Sequence, residues 1–366
     1  MIQIVFIAII LFAALVYAFM QLPRFGALPR GERLQRVAAS PNYRDGRFRN
    51  RIEKPAIAEG YSIPGEMYKM LFRKNPRRYP SVPLPSVQTD LRALPKEQDL
   101  MVWFGHSSFL LQMSGVRMLV DPVFSGKASP LPGSVKAFAG TDVYSVDDMP
   151  DIDYLILSHD HYDHLDYPTI KALRTKVAHV VCGLGTGAHF ERWGYDGDII
   201  TELDWGSSIQ LSPELQLTAE SAQHDSGRSF TRGRSLWLSF LFRSAARTVY
   251  YSGDGGYDDR FRNIADKYGP VDWAIMECGQ YNKAWQSVHE LPEEMALATR
   301  ELGAAAMIPV HHSKFTLAHH SWDEPLDKVS EYAADGPYRL ATPMIGEPVF
   351  LSRTDQVFRQ WWKGLS

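Results

Sequence analysis

The chain has 366 residues, of which 45% are hydrophobic, and this is enough for one large domain or two modest ones. Its 39 basic and 42 acidic residues give a net charge of −3, which excludes the strong basic field typical of nucleic-acid-binding proteins. Cys182 and Cys278 are too few for a disulfide framework, and their apolar, strand-like surroundings predict buried thiols. The 12 histidines are therefore the informative minority.

The N-terminus is a nearly continuous apolar run from Ile2 to Met20 without a charged residue. As a helix it would rise about 28 Å, close to the roughly 30 Å hydrocarbon core of a bilayer. A cleaved signal peptide is the alternative, because Val16-Tyr17-Ala18 resembles a cleavage site. No basic segment precedes the run, however, and the run is long for a signal peptide. We therefore predict a transmembrane anchor over residues 1–20.

The flanking charges predict the orientation of this anchor. Nothing basic precedes it except the amino terminus, and four arginines follow it: Arg24, Arg30, Arg33 and Arg36. The positive-inside rule then places the catalytic domain on the cytoplasmic face, and we expect a bacterial inner membrane. The same arginines could lie against anionic head groups.

Residues 21–95 are rich in proline and arginine and only weakly periodic. We interpret them as an extended, partly ordered arm that wraps the core, with polyproline-like pieces near its end. Several apolar side chains are expected to anchor this arm: Tyr43, Phe48, Tyr61, Met67, Tyr68, Leu71 and Phe72.

Residues 96–366 are predicted to form the catalytic domain. Short β-rich runs separated by turn residues alternate with helical stretches, notably Tyr167 to Thr175 and Pro292 to Leu302. The second stretch opens with Pro292-Glu293-Glu294, a favourable helix start. Alternating strands and helices predict two packed sheets covered by helices.

The chemistry centres on Ser158-His159-Asp160-His161-Tyr162-Asp163-His164-Leu165-Asp166, which follows a strand-like run. In an extended segment, residues two apart point the same way, so His159 and His161 can grip one metal ion. The chain then turns, so that Asp163 and His164 can reach a second ion nearby.

Two imidazoles alone leave a metal ion under-coordinated, and a catalytic centre also keeps one position open for water. Further ligands must come from later strand ends. Candidates that follow apolar runs are His224, Asp254 and the pair His311 and His312. The repeated order of apolar strand, ligand and loop favours a common site.

The order HxHxDH, distant His, Gly-Asp, distant His resembles the metallo-β-lactamase superfamily. The string SHDHYDHLDY is similar to its branch that contains N-acyl-phosphatidylethanolamine-hydrolysing phospholipase D, and further strings support this: VWFGHSSFLL, VDPVFS, ELDW, AQH, SGDGGY, VHELPEE and PVHHSKF. The resemblance covers about residues 40–350.

The resemblance implies a four-layer αββα sandwich and a site with seven metal ligands. It implies that His159, His161 and His224 hold one metal. It implies that Asp163, His164 and His311 hold the other and that Asp254 bridges both. His311 is preferred to His312 because the final ligand of the family directly follows the strand. Positions beneath or beside the site are His106 and Asp121, and positions at the substrate mouth are Tyr162, His289 and His320.

The resemblance further implies a metal-dependent hydrolase. Two divalent ions activate a water, and Asp163 or Asp254 orients it or accepts its proton. Zinc suits the His/Asp donor set best, with manganese or iron as alternatives. No G-x-S-x-G string suggests a serine nucleophile.

The leading hypothesis for the substrate is an N-acylated membrane phospholipid, cleaved to phosphatidic acid and an N-acylethanolamine. A lactonase or sugar-phosphate hydrolase acting on a soluble metabolite is the second hypothesis, and a non-catalytic membrane-attached binding protein is the third. Two segments depart from the branch pattern and bear on the substrate: His311-His312-Ser313-Lys314-Phe315, and Glu277-Cys278-Gly279-Gln280-Tyr281-Asn282.

Overall fold

The structure is a computed structural model that describes residues 1–365. Over these residues it has eight α-helices, which are α1 (Ile2–Met20), α2 (Gly31–Ala39), α3 (Ile63–Phe72), α4 (Tyr167–Leu173), α5 (Gly187–Arg192), α6 (Arg260–Tyr268), α7 (Pro292–Glu301) and α8 (Glu324–Ala333). The strands are β1 (Tyr43–Arg44), β2 (Arg47–Phe48), β3 (Leu100–Trp103), β4 (Phe109–Met113), β5 (Val116–Val120), β6 (Ile152–Ile156), β7 (Val177–Gly183), β8 (Ile200–Leu203), β9 (Ser208–Ser212), β10 (Leu215–Ser221), β11 (Leu238–Arg243), β12 (Thr248–Tyr251), β13 (Trp273–Glu277), β14 (Ala306–Val310), β15 (Arg339–Leu340) and β16 (Pro348–Phe350).

Two mixed sheets carry the catalytic domain. The first has the strand order β16-β3-β4-β5-β6-β7-β8, and the second has the order β15-β14-β13-β12-β11-β10-β9. In the first sheet β3, β4 and β5 run antiparallel, and β5 to β8 run parallel. The second repeats this plan, with β9 to β12 antiparallel and β12 to β15 parallel.

The core lies between the two sheets and continues beneath the outer helices. Phe109 of the first sheet meets Tyr251 of the second edge-on, with ring centroids 5.1 Å apart. Alternate residues such as Tyr250 turn to the other face of the second sheet and pack against α6, α7 and α8. Ile170 of α4 and Phe190 of α5 join the core of the first sheet. This mixed α/β sandwich confirms the predicted fold.

The helix α1 covers the predicted apolar run from its first residue to its last. It has a mean hydropathy of 2.7 over its most apolar window, and none of its residues is buried in the protein. Because a soluble core helix of this composition would be buried, α1 is a candidate membrane span.

The segment that follows α1 is more helical than the sequence suggested. It contains α2, the short β1–β2 hairpin and α3, whose first turn is capped by the Ser62 hydroxyl accepting a bond from Gly65 N at 3.2 Å. Phe48 is buried in the core, as expected of an anchor. The expectation that the apolar side chains of α3 anchor this segment to the core is wrong. Four of them are exposed to solvent: Met67, Tyr68, Leu71 and Phe72. Weak periodicity hid a helix that lies on the surface.

The carboxyl ends of several strands meet at one rim of the sandwich. The segment 158–166 follows β6, His224 follows β10, Asp254 follows β12 and His311 follows β14. Parallel neighbours end at the same edge of a sheet, which explains why residues distant in sequence meet there.

Candidate metal centre

Three histidine nitrogens converge on one side of the rim. The Nδ1 atom of His161 lies 3.0 Å from Nε2 of His159 and 3.1 Å from Nε2 of His224. We call these three residues the His159 group. Their ligand atoms all lie within 4.8 Å of one another.

Hydrogen bonding on the far side of the His159 and His224 rings shows which nitrogen is free. His224 Nδ1 lies 2.9 Å from the Val288 carbonyl, which only accepts, so the proton sits on Nδ1 and Nε2 keeps its lone pair. His159 Nδ1 meets the Ser158 hydroxyl at 3.0 Å, and His161 Nε2 lies 3.3 Å from Asp225. The lone pairs of His159 and His224 therefore face the same point, and the Nδ1 atom of His161, whose Nε2 also lies 3.4 Å from Arg232 Nη1, adds a third nitrogen there. A cation satisfies this arrangement, so the side chains fit a metal ion.

A second cluster adjoins the first and is buried more deeply. We call Asp163, His164 and His311 the His164 group, and together with His106 their ligand atoms lie within 4.8 Å of one another. His164 Nδ1 donates to Asp121 Oδ2 at 2.8 Å, so its Nε2 lone pair faces the Asp163 carboxylate at 3.5 Å. His311 Nε2 is buried and has no hydrogen-bond partner among the described residues. These donors also fit a divalent cation.

Asp254 lies between the two groups. Its Oδ2 atom is 3.0 Å from His164 Nε2 and 3.8 Å from His159 Nε2, and its Oδ1 atom is 3.2 Å from His311 Nδ1. The preceding Gly253 has φ of 57°, and a Cβ atom there would lie 2.4 Å from the Leu238 carbonyl oxygen. Glycine therefore allows the turn that aims the Asp254 carboxylate into the centre.

Asp121 and His106 hold the His164 group from behind. Asp121 Oδ2 accepts hydrogen bonds from Ser158 Oγ at 2.5 Å, from Tyr251 OH at 2.6 Å and from His164 Nδ1. His106 Nε2 contacts Asp163 Oδ2 at 2.8 Å. Neither Asp121 nor His106 is exposed to solvent, so these contacts fix the orientation of the side chains in front of them.

Two of these residues adopt backbone conformations that side chains other than glycine rarely take. His106 has φ of 54° and His311 has φ of 67°. The two segments are joined by backbone hydrogen bonds, from His106 N to the carbonyl of His312 and from His311 N to the carbonyl of His106, each 2.9 Å long. This pairing holds the unfavourable geometry in place, and strain of this kind concentrates at functional sites.

A cavity of about 790 Å³ opens onto the centre. Tyr162 and His289 line it, as do Asp163, Asp254 and His311. His320 does not belong to its lining, which corrects its predicted place at the mouth. Its Nε2 atom instead accepts a bond from Gln280 N at 2.9 Å, and it is Gln280 that reaches the cavity.

The neighbouring His312 takes a different direction from His311. It packs on Trp103, with ring centroids 4.7 Å apart, and its Nε2 atom contacts the Pro309 carbonyl at 3.2 Å. It belongs to none of the candidate metal clusters of the described residues. Both cysteines are free and buried, as predicted.

The sequence analysis missed a support beneath the motif. Asp160 accepts bonds from Gly227 N at 2.7 Å and Ser235 Oγ at 2.6 Å, and it contacts His189 Nε2 at 3.2 Å. Burial opposes ionisation of Asp160, but the bond to His189 outweighs it, so its pKa lies below the usual value. Arg228 donates to the carbonyls of Asp160 and Leu165 at 2.8 and 2.7 Å and braces the loop from both ends.

Glu277 supports His289, although the sequence analysis named it only as the first residue of a segment that departs from the branch pattern. Its carboxylate meets His289 Nδ1 at 2.9 Å and accepts a bond from Glu290 N at 2.8 Å. Burial raises the pKa of Glu277, and the charge of Glu277 in turn overcomes burial and raises the pKa of His289. The acidic residue at the end of a buried strand was the available signal.

The comparisons with known proteins now bear on this geometry. The family description "Beta-lactamase superfamily domain" matches residues 116–312, which contain all seven predicted metal ligands. An uncharacterized protein of Mycobacterium tuberculosis is 33% identical over 332 residues, covering 88% of each chain. The chain belongs to the metallo-β-lactamase superfamily. As a member, it is a metal-dependent hydrolase with candidate His/Asp metal clusters.

Two further similarities concern a curated relative and a solved structure. The N-acyl-phosphatidylethanolamine-hydrolyzing phospholipase D 1 of Caenorhabditis elegans is 30% identical over 249 residues, covering 63% of this chain and 68% of that protein. The structure of Igni18, a metallo hydrolase from the archaeon Ignicoccus hospitalis, has a TM-score of 0.52 at 20% identity and covers 68% of this chain and 97% of that one. At this identity, the second similarity bears on the fold alone.

Two segments depart from the branch pattern, residues 311–315 and 277–282, and Lys314 of the first and Gln280 of the second lie in different places relative to the cavity. Lys314 is buried and donates to the carbonyls of Phe104 at 3.2 Å and Val123 at 2.9 Å, and burial lowers its pKa. It therefore braces the rim from behind. Gln280, in contrast, lines the cavity in this superfamily member, so the departure there changes the surface that meets the substrate.

Proposed function

We propose that this protein hydrolyses the phosphodiester bond of an N-acylated membrane phospholipid and releases phosphatidic acid and an N-acylethanolamine. One juxtaposition carries the proposal. The cavity that exposes Asp163 and Asp254 is also lined by Met20, the last residue of the candidate membrane span. A site for phosphodiester chemistry and a membrane helix thus share one wall.

The side chains of the His159 and His164 groups are proposed to hold two divalent ions, with Asp254 between them. When bound, such ions lower the pKa of water and neutralise negative charge on the attacked group. Zinc suits the donors, because imidazole and carboxylate together are typical of its catalytic sites.

Asp163 and Asp254 are proposed to act on the attacking water. Both present carboxylate oxygens to the cavity, where they can orient the water and accept its proton. His106 holds Asp163 through the 2.8 Å contact at Oδ2. This contact keeps the Asp163 carboxylate in one orientation while it accepts or releases a proton.

His289 is proposed to serve the leaving group. Its Nδ1 atom is committed to Glu277, which leaves Nε2 as the nitrogen that can meet a substrate. As water oxygen bonds to phosphorus, the bond from phosphorus to the ethanolamine oxygen breaks, and that oxygen takes up a proton. His289 lines the cavity and can hold that proton.

The substrate side of the proposal rests on three features. The candidate span α1 supports a lipid substrate, and so does the similarity to the C. elegans phospholipase. Tyr162, whose hydroxyl donates to the Arg228 carbonyl at 2.6 Å, presents its ring to the mouth. Burial raises the pKa of Tyr162 to about 12, so it meets a substrate as a neutral phenol.

The test is an assay of purified full-length, zinc-loaded protein on N-acyl-phosphatidylethanolamine in vesicles, with both products measured by mass spectrometry. A His161→Ala variant should lose metal and turnover together while keeping its fold by circular dichroism. His179→Ala is the matched control, because His179 is exposed on β7 and belongs to none of the candidate metal clusters among residues 1–365.

Three outcomes would contradict the proposal. Retained turnover in the His161→Ala variant would exclude its ligand role. Faster turnover of a small lactone or a sugar phosphate than of any phospholipid would favour a soluble metabolite as the substrate. Protein that binds no metal after purification without chelators would favour a binding protein.

A further inference from the structure

A second cavity of about 980 Å³ lies beside the cavity at the metal centre. One side is the last two turns of α1, which contribute residues such as Ala13 and Val16, and the other is the loop 229–231 together with α5. Four residues line both cavities: Met20, Phe25, Ser229 and Phe230. The two spaces are therefore neighbours across a wall that the end of the membrane helix helps to build.

Phe25 occupies the boundary between the two cavities. Its ring meets Tyr162 of the metal-binding motif edge-on at 6.3 Å and Phe19 of α1 at 5.2 Å. Phe230, which also lines both cavities, is 86% exposed, which is unusual for so large an apolar side chain. The boundary between the two cavities thus carries two apolar aromatic rings, Phe25 and Phe230, which are suitable contacts for an acyl chain.

The segment 21–27 fixes the end of α1 against the catalytic domain. Arg192 donates to the Gln21 carbonyl at 2.7 Å, Trp193 donates to the Pro23 carbonyl at 2.8 Å, and Arg228 donates to the Arg24 carbonyl at 2.8 Å. Ala27 N donates to His189 Nδ1 at 3.0 Å.

The fit of this segment is close at Gly26. It has φ of 67°, and a Cβ atom there would lie 1.9 Å from His189 Nδ1. Any other residue would clash with His189 or move the segment. The helix is therefore held in one position relative to the metal centre.

We propose that the second cavity is a lateral channel for one acyl chain of a membrane phospholipid, and that α1 forms one wall of this channel. This inference rests on the proposed function for the identity of the bond that is cleaved. In it, the lipid moves sideways from the bilayer between α1 and the loop 229–231, and its phosphate reaches the metal centre past Phe25. The anchor is then part of the substrate site as well as a tether.

Position and charge both favour an acyl chain as the occupant. The cavity-facing stretch of α1 from Phe12 to Met20 spans roughly 12 Å of helix, within the roughly 15 Å hydrocarbon depth of one leaflet. Three basic residues, Arg30, Arg33 and Arg192, and one acidic residue, Glu191, line the same cavity, and all of them follow α1 in the chain. An apolar wall from α1 together with a lining that carries three basic residues and one acidic residue suits the acyl chain and the anionic head group of a phospholipid.

The first test fills the channel without touching the metal centre. Ala13→Trp places an indole in the second cavity, whereas the control Ala14→Trp places it on a part of α1 that does not line that cavity. Both alanines are exposed residues of the same helix, so the two variants have the same composition. Each protein is assayed, fully zinc-loaded, on a long-chain phospholipid in vesicles and on a soluble short-chain phosphodiester.

We expect kcat/KM for the long-chain lipid to fall about tenfold in Ala13→Trp, as for the loss of roughly two buried methylene groups. Turnover of the short-chain substrate should be unchanged, and Ala14→Trp should behave as wild type on both substrates. Equal long-chain activity of the two tryptophan variants would overturn the channel.

The second test does not depend on catalysis. A phospholipid with a diazirine on its acyl chain is photolysed in vesicles that contain wild-type protein or either variant, and labelled peptides are identified by mass spectrometry. We expect label on Phe25 and on the loop 229–231, reduced at least threefold by Ala13→Trp and unchanged by Ala14→Trp.

The two tests separate failure of the channel from failure of the proposed function. If wild-type protein cleaves neither phosphodiester, the proposed function fails, and the labelling pattern alone decides the channel. Unlabelled Phe25, or equal labelling in all three proteins, would overturn the channel whatever the enzyme hydrolyses.

Discussion

The two halves of the candidate metal centre differ in what supports their side chains. His161 of the His159 group has a side chain that is 21% exposed, and its partner Asp225 is 49% exposed. His164 of the other half is fully buried, and its partner Asp121 is fully buried as well. Both histidines are backed by a carboxylate, but only one of these carboxylates lies in a low-dielectric environment.

Because of this difference in burial, we expect one half of the centre to fix the ligand positions and the other half to admit the substrate. The buried half, with its network of Asp121, Ser158 and Tyr251, fixes positions, because hydrogen bonds strengthen and rearrangement becomes costly away from water. The half beside the cavity keeps room for a substrate. The same chemical change should therefore have a large effect on one side and a small effect on the other.

The largest effect is expected at Asp254, because it belongs to both halves. Asp254→Ala should lower kcat/KM by about 10³-fold or more, since bound ions at such centres supply several kcal/mol of charge stabilisation. Metal content by mass spectrometry should fall in parallel, while circular dichroism stays as in wild type. Full metal content in this variant would show that the carboxylate does not lie between two ions.

A smaller effect is expected when the buried support alone is changed. In Asp121→Asn, an amide NH₂ group must face at least one of the donors that now converge on the carboxylate, which come from Ser158, Tyr251 and His164. His164 would then lose its orientation, and we expect zinc affinity to fall by about 10- to 100-fold in a competitive chelator titration.

Activity of Asp121→Asn provides the control for this positioning role. Saturating zinc should restore much of its kcat, because no atom of Asp121 reaches the cavity lining. An activity loss that excess zinc does not relieve would show that Asp121 acts by some route other than holding a ligand.

The sequence predicted the candidate ligands that lie in one short motif or at strand ends. It did not predict the contacts that depend on how irregular segments pack. The spacing between His159 and His164 was enough to predict ligands for both metal ions. Residues two apart in an extended segment point the same way, and the turn that follows directs Asp163 and His164 to a second ion. The repeated pattern of strand followed by ligand predicted His224, Asp254 and the pair His311 and His312, and only the family resemblance favoured His311. That pattern works because β10, β12 and β14 of the second sheet run in the same direction and end at one rim.

Residues that depend on the path of an irregular segment were not found. Phe25 reaches the metal cavity because segment 21–27 is fastened by α5 and Arg228, and no periodicity in the sequence encodes that contact. His189 lies 29 residues from Asp160 and meets it only through the packing of α5. His320 failed for the converse reason, because its loop turns the ring behind Gln280.

The smallest effect is expected at Asp225, which is the exposed counterpart of Asp121. Asp225→Asn makes the same chemical change as Asp121→Asn, but the contact with His161 is longer, at 3.3 Å against 2.8 Å for Asp121 and His164. Exposed ion pairs contribute about 0–1 kcal/mol, so zinc affinity should fall by less than about fivefold. Water can replace the lost acceptor at His161, whereas no solvent reaches His164. Equal losses of zinc affinity in Asp225→Asn and Asp121→Asn would show that burial does not distinguish the two halves, and the division between a fixed half and an open half would have to be abandoned.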